Sequence, residues 1–222
     1  MPSRAATPST PDAPILPETL TDAPFGETLL NAIAQQVDIE GFRFSGEKVT
    51  EIDAPALDVS GCRFERCTLS AWAIRRLRFA DCVFDHCDLS TLRLEKAAFQ
   101  RVLFADCRLT GADFLACTLN HAAFTGCAAD YLAVSGCALH HVRMEHCRLR
   151  ECVWQDTRWR DTALDNCDLS GAQFRFTPLA GMSLATCVLD GIQIDPHDLR
   201  GLRVNASQAL HLCGLFGLVV DD

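Results

Sequence analysis

From Phe44 to Val204 every fifth residue is apolar, an unbroken series of thirty-three positions. Its members include Phe64, Leu69, Ile74, Phe79, Phe84, Leu89 and Leu94, and later Trp154, Trp159, Leu164, Leu169 and Phe174. Two residues before each central position the side chain is again small or apolar nearly throughout, as at Cys62, Cys67, Trp72, Leu77, Cys82, Cys87 and Leu92. A period of five fits neither a helix nor a strand. It fits a solenoid of short straight segments with one bend in each pentapeptide. The longer repeat fixes the number of sides. Cys67, Cys87, Cys107, Cys127, Cys147, Cys167 and Cys187 recur at intervals of twenty, as do Phe44, Phe64, Phe84, Phe104 and Phe124. Four pentapeptides therefore complete one turn of a four-sided coil. Central and minus-two side chains fill the shaft in ladders of like residues, and the other three positions face water.

This pattern resembles that of the pentapeptide-repeat family, Ala-(Asp/Asn)-Leu-x-x with the Leu or Phe inside. Good matches are Cys87-Asp88-Leu89-Ser90, Ala112-Asp113-Phe114 and Cys167-Asp168-Leu169-Ser170-Gly171. The resemblance covers about residues 42–204. It implies an all-β solenoid, a right-handed quadrilateral β-helix of about eight coils. At ~4.8 Å between stacked backbones such a rod is roughly 38 Å long.

Exposed coil edges pair with other chains unless they are closed. Phe25, Leu29, Leu30, Ile33, Ala34 and Val37 share one helical face, which predicts a capping helix from about Ala23 to Val37 with Asp22 as its N-cap. After the coils, Asn205 is placed to cap a second helix running to about Leu215. Gly217 then ends it and Leu218 to Val220 read as a short extended segment. The expected organisation is a disordered Pro-rich tail over 1–22, an N-terminal cap over 23–41, the β-helix over 42–204 and a C-terminal helix and strand over 205–222. The last segment is more apolar than a cap requires, which predicts a dimer interface at Leu212, Leu215, Phe216, Leu218 and Val220.

Composition sharpens the picture through the cysteines. There are 13 in 222 residues, with no C-x-x-C pair, no signal peptide and no apolar run long enough to span a membrane. The chain reads as cytoplasmic with reduced thiols. Twelve of the 13 fall in the minus-two class, where cysteine serves as a small buried hydrophobe. The inward classes carry no ionisable group besides thiols except Glu47 and His197. A catalytic site would have to be assembled on convex outer faces, and no Gly-rich loop, Ser-His-Asp set or zinc motif is present. No enzyme activity, cofactor or metal is expected. The adjacent His140 and His141 form the one candidate histidine cluster, and they read as solvated surface.

The formal net charge is -9, yet between Phe44 and His197 sixteen Lys or Arg oppose twenty Asp or Glu, a net of only -4. Sorting by the twenty-residue period reveals one acidic column, Glu65, Asp85, Glu145 and Asp165, with Asp106 beside it. Arg63, Arg66 and Arg143 interrupt that face. A basic patch gathers Arg75, Arg76, Arg78, Arg93, Lys96 and Arg101 elsewhere on the rod. Such a balance argues against direct nucleic-acid binding.

The tail, with Gln208-Ala209 and Phe216-Gly217-Leu218-Val219, resembles the C-terminal segment of topoisomerase-directed pentapeptide proteins, namely the Qnr quinolone-resistance proteins, MfpA and AlbG. That resemblance implies a rod-shaped homodimer that binds DNA gyrase or a related type II topoisomerase by imitating DNA. The acidic column would then be the partner-binding face. Unlike the Qnr pattern, the register has no insertion from 44 to 204, which is more like MfpA and makes inhibition the default expectation over drug protection. The alternative is a scaffold for another protein.

Overall fold

The computed structural model describes residues 8–214 together with Gly217 and Leu218. The pentapeptide register becomes a right-handed, four-sided parallel β-solenoid of about nine turns with a short helix at each end. Ladder partners lie twenty residues apart, as with Phe64 beside Phe84 and Phe104 beside Phe124. The stacking begins before Phe44, because Thr21–Asp22 pairs with Phe42 and Arg43, and Ile39–Glu40 pairs with Val59 and Ser60.

Inside the shaft, like residues stack on like. The rings of Phe64, Phe84, Phe104 and Phe124 follow one another with centroids 4.6, 4.9 and 4.6 Å apart, and the planes of successive rings lie within 8° of parallel. Offset or parallel stacking of this kind adds about 0.5–1.5 kcal/mol per pair beyond area burial. Most pentapeptides bend at the residue two positions after the central one, which takes a left-handed conformation. Arg66, Arg101, Asp106 and Phe176 have φ of 51°, 50°, 50° and 49°. For an L residue that region costs roughly 1–2 kcal/mol. Inter-coil hydrogen bonds hold it, such as Arg66 N–H to the Asp85 carbonyl at 2.9 Å and Asp106 N–H to the Thr125 carbonyl at 2.8 Å.

All twelve minus-two cysteines are buried free thiols, and Cys213 is half-buried. Small size is only part of their role. The thiol of Cys107 donates to the Phe84 carbonyl at 3.4 Å and that of Cys127 to the Phe104 carbonyl at 3.5 Å. Thr157 and Thr177 at equivalent positions donate to the carbonyls of Val134 and Trp154. Trp72 Nε1–H reaches the Val49 carbonyl in the same way, at 3.2 Å. The slot therefore favours a donor aimed at the coil twenty-three residues earlier. Burial pushes the Cys62 thiol up to about 11 and the Cys152 thiol up to about 12, far from the thiolate that metal or redox chemistry needs.

The N-terminal helix, α1, spans Phe25–Gln35. It buries Phe25, Leu29 and Ala32, while Leu30 and Val37 of the expected face are exposed. Asp22 is not its cap, because that residue pairs in the strand Thr21–Asp22 and Pro24 takes the N-cap position without a side-chain bond. The first N–H groups are instead received by Glu47 of the opening coil, at 2.6 Å from Phe25 and 3.2 Å from Gly26. This accounts for an ionisable residue in an inward class.

The C-terminal helix, α2, spans Ala206–Cys213 and ends two residues earlier than expected. Asn205 and Gln208 form a reciprocal capping box, with bonds of 2.9 and 2.8 Å. The Gln208 amide is buried and donates to the carbonyls of Leu184 and Cys187 at 2.9 and 2.7 Å, so it closes the open edge of the last coil. Leu212 packs into the core of its own chain. Leu215, Phe216 and Val220, and with them the expected strand, lie outside the described residues; Leu218 is exposed.

Residues 8–20 differ from the disordered tail expected of them. They follow an extended path against the rod, joined to His141, His121 and Asp81 by hydrogen bonds at 2.8, 2.9 and 2.9 Å. Pro17 lies over Gly61, where an added Cβ would come within 3.1 Å of its ring. No helix among the described residues is long and apolar enough to cross a membrane.

Candidate functional site

The acidic column is one continuous line on the outer surface, but its charge is not continuous. Ladder pairing runs Glu65, Asp85, Ala105, Thr125, Glu145, Asp165, so two acidic pairs are separated by two neutral residues. Each pair is clamped by one arginine of the neighbouring column. Arg63 reaches Glu65 through Nε and Asp85 through Nη2, both at 2.6 Å. Arg143 does the same to Glu145 at 2.7 Å and to Asp165 at 3.0 Å. The two clusters are four coils apart, about 19 Å at ~4.8 Å per coil.

Around the next corner, Asp106 lies 4.0 Å from His86 Nε2, whose Nδ1 is 2.6 Å from Asp85. The hydrogen bond to Asp85 raises the His86 imidazole above its ordinary range. In turn, His86 and then Arg63 hold Asp85 below the usual carboxylate value. All five expected acidic residues thus share one side of the rod, and each Arg-bridged pair carries a net charge of only -1. Sequence sorting located the column, whereas the neutralising bridges depend on side chains crossing between stacked coils.

The basic patch borders an interruption in the fold. Lys48–Ala54 and Thr68–Ile74 form a two-stranded sheet of their own, apart from the six strands running from Arg93–Glu95 to Gln193–Ile194. A cleft of about 630 Å³ opens there, lined by Trp72, Ile74, Arg75, Arg93, Leu94 and Lys96 together with Asp53, Glu95 and Asp113. Part of the patch is already paired: Arg101 forks onto Asp81 with two bonds of 2.6 Å, Lys96 meets Glu95 at 2.8 Å and Arg76 meets Asp58 at 3.4 Å.

The expected histidine pair separates, because His140 ladders with Asn120. His141 instead stacks on His121, one coil below, with ring centroids 4.5 Å apart. Among the described residues no group of three or more His, Cys, Asp or Glu is placed to hold a metal ion.

The family model for the pentapeptide repeat region matches residues 57–115 and 97–174, together just over half of the chain. No curated protein matches significantly. Among solved structures, HetL, a pentapeptide repeat protein involved in heterocyst differentiation regulation from the cyanobacterium Nostoc, is 15% identical. The match covers 82% of this chain and 91% of HetL, with a TM-score of 0.40. Full-length QnrB1, a plasmid-mediated fluoroquinolone resistance protein, is 18% identical over 79% of this chain and 100% of its own, with a TM-score of 0.33.

Proposed function

We propose that this chain, which belongs to the pentapeptide-repeat family, is a non-enzymatic binding rod that engages a type II topoisomerase such as DNA gyrase by imitating DNA. The observation that carries this reading is the alignment of Glu65, Asp85, Glu145 and Asp165 on one unbroken face. Two carboxylate pairs held in line on a rigid support present negative charge of the kind a DNA-binding channel accepts. The arginine bridges moderate that pattern and favour weak, salt-sensitive binding. The uninterrupted register favours inhibition over protection from a drug. The test is a gyrase supercoiling assay with added protein, in the presence and absence of a fluoroquinolone. Lower supercoiling or altered drug sensitivity supports the proposal, and no change in either condition at micromolar protein overturns it.

A homodimer through the C-terminal cap belongs to the same proposal. Leu210, Leu218 and Val188 are exposed at this end, and a cleft of about 370 Å³ opens between α2 and the last coil. The cleft at Arg75, Arg93 and Lys96 favours a second reading, a scaffold that takes an anionic partner there. Arg75→Glu separates the two, because it removes capture of such a partner and leaves the gyrase effect in place.

A further inference from the structure

The prolines of the N-terminal segment stand at every third position: Pro8, Pro11, Pro14 and Pro17. That is the period of a polyproline II helix, whose turn of three residues rises about 9.3 Å. Burial follows the same period from Pro8 to Pro14, with Pro8, Pro11 and Pro14 half-buried and Ser9, Thr10, Asp12 and Ala13 exposed; beyond it the phase shifts, with Leu16 half-buried and Pro17 exposed. Two coils of the rod rise about 9.6 Å. The two repeats meet at Asp12 and Ile15. Their N–H groups, three residues apart, donate to His121 Nδ1 at 2.9 Å and to Asp81 Oδ1 at 2.9 Å, two coils apart.

The corner beneath is shaped for this occupant. Gly61 leaves room for Pro17, and outward-facing Ala80 and Val83, beside Asp81, are buried without belonging to the central core. Arg101 anchors Asp81, and the His121–His141 stack fixes the rings that receive Asp12 and Ser9. A polyproline II segment carries unsatisfied backbone N–H groups and has little conformational entropy left to lose, which suits it to recognition by spaced acceptors.

We propose that the corner running through Gly61, Asp81, Arg101, His121 and His141 is a recognition groove for an extended peptide with proline at every third residue. Residues 8–20 are its resident ligand, and the groove becomes available in trans when they leave it. An internal ligand bound in most molecules weakens an external one in proportion to the fraction of open groove.

The test uses the full chain and a fluorescein-labelled synthetic peptide with the sequence of residues 7–20, read by fluorescence anisotropy. In the full chain carrying Pro11→Gly and Pro14→Gly the groove is intact and its own strap loosened. The peptide should bind this variant at least about tenfold more tightly than the unaltered chain. Adding His121→Ala and His141→Ala should remove the gain, with the far-ultraviolet circular dichroism of the rod unchanged. Three results would each overturn the proposal: no binding to the strap-loosened chain, equal binding by the altered and unaltered chains, or equal binding of a peptide with the same composition and shuffled prolines.

Discussion

The carboxylate of Glu47 receives the backbone N–H of Phe25 at 2.6 Å, so the first coil of the solenoid caps the helix that covers it. This reverses the usual arrangement, in which a helix is capped by a residue just before its own first turn. Glu47→Ala should cost about 1–2 kcal/mol, in the range of a lost cap or charged hydrogen bond. Asp22→Ala should stay within about 0.5 kcal/mol, as for a surface change. Denaturant midpoints at constant m-value would measure both, and equal losses would return the cap to Asp22.

The minus-two slot makes a second prediction. Cys107→Ser retains a donor for the Phe84 carbonyl and should be better tolerated than Cys107→Leu. The larger side chain overpacks the shaft at a cost of about 1–3 kcal/mol. In the native protein a thiol reagent should modify Cys213 alone, since the other twelve thiols are buried in the shaft and out of its reach. Rapid labelling of several thiols without denaturant would contradict the sealed shaft.

Acid should loosen the N-terminal strap. The Arg101 guanidinium, followed by the Ile15 N–H, holds the Asp81 carboxyl below the usual carboxylate range. A depressed value in the docked state means that the contribution is fully present above the ordinary Asp value. It is lost as pH falls through the depressed one. Hydrogen exchange should show the Ile15 amide protected near neutrality and progressively exposed as pH falls below the ordinary Asp value of about 3.9, and Asp81→Asn should expose it at both.

The proposed dimer rests on the exposed leucines at the C-terminal end. Leu210→Asp and Leu218→Asp should each give a soluble monomer by light scattering, with thermal unfolding of the rod retained. Persistence of a dimer in both variants would remove the assignment from this end of the molecule.

The solenoid was legible in the sequence because its rule is local. Each pentapeptide puts two side chains in the shaft, so Phe44 to Val204 could be sorted into inside and outside without knowing any contact. The intervals of the cysteine and phenylalanine columns then fixed four sides per coil, and the ladders obey them. The acidic column was found by the same sorting. The left-handed corners were not, because Arg66, Asp106 and Phe176 announce no bend; the hydrogen bonds that hold them come from neighbouring coils.

What only the tertiary structure decided lies wherever a non-repeating segment meets the repeat. Asp22 looked like a cap, and the stacking of the first coil gave that role to Glu47. Gln208 carried a sequence resemblance, and its chemistry emerged only where its amide met the free carbonyls of Leu184 and Cys187. Four prolines at intervals of three read as a flexible tail until the rise of two coils supplied acceptors at matching distance. Periodicity determines which face a residue occupies; which partner it meets there depends on the stacking of coils twenty residues apart.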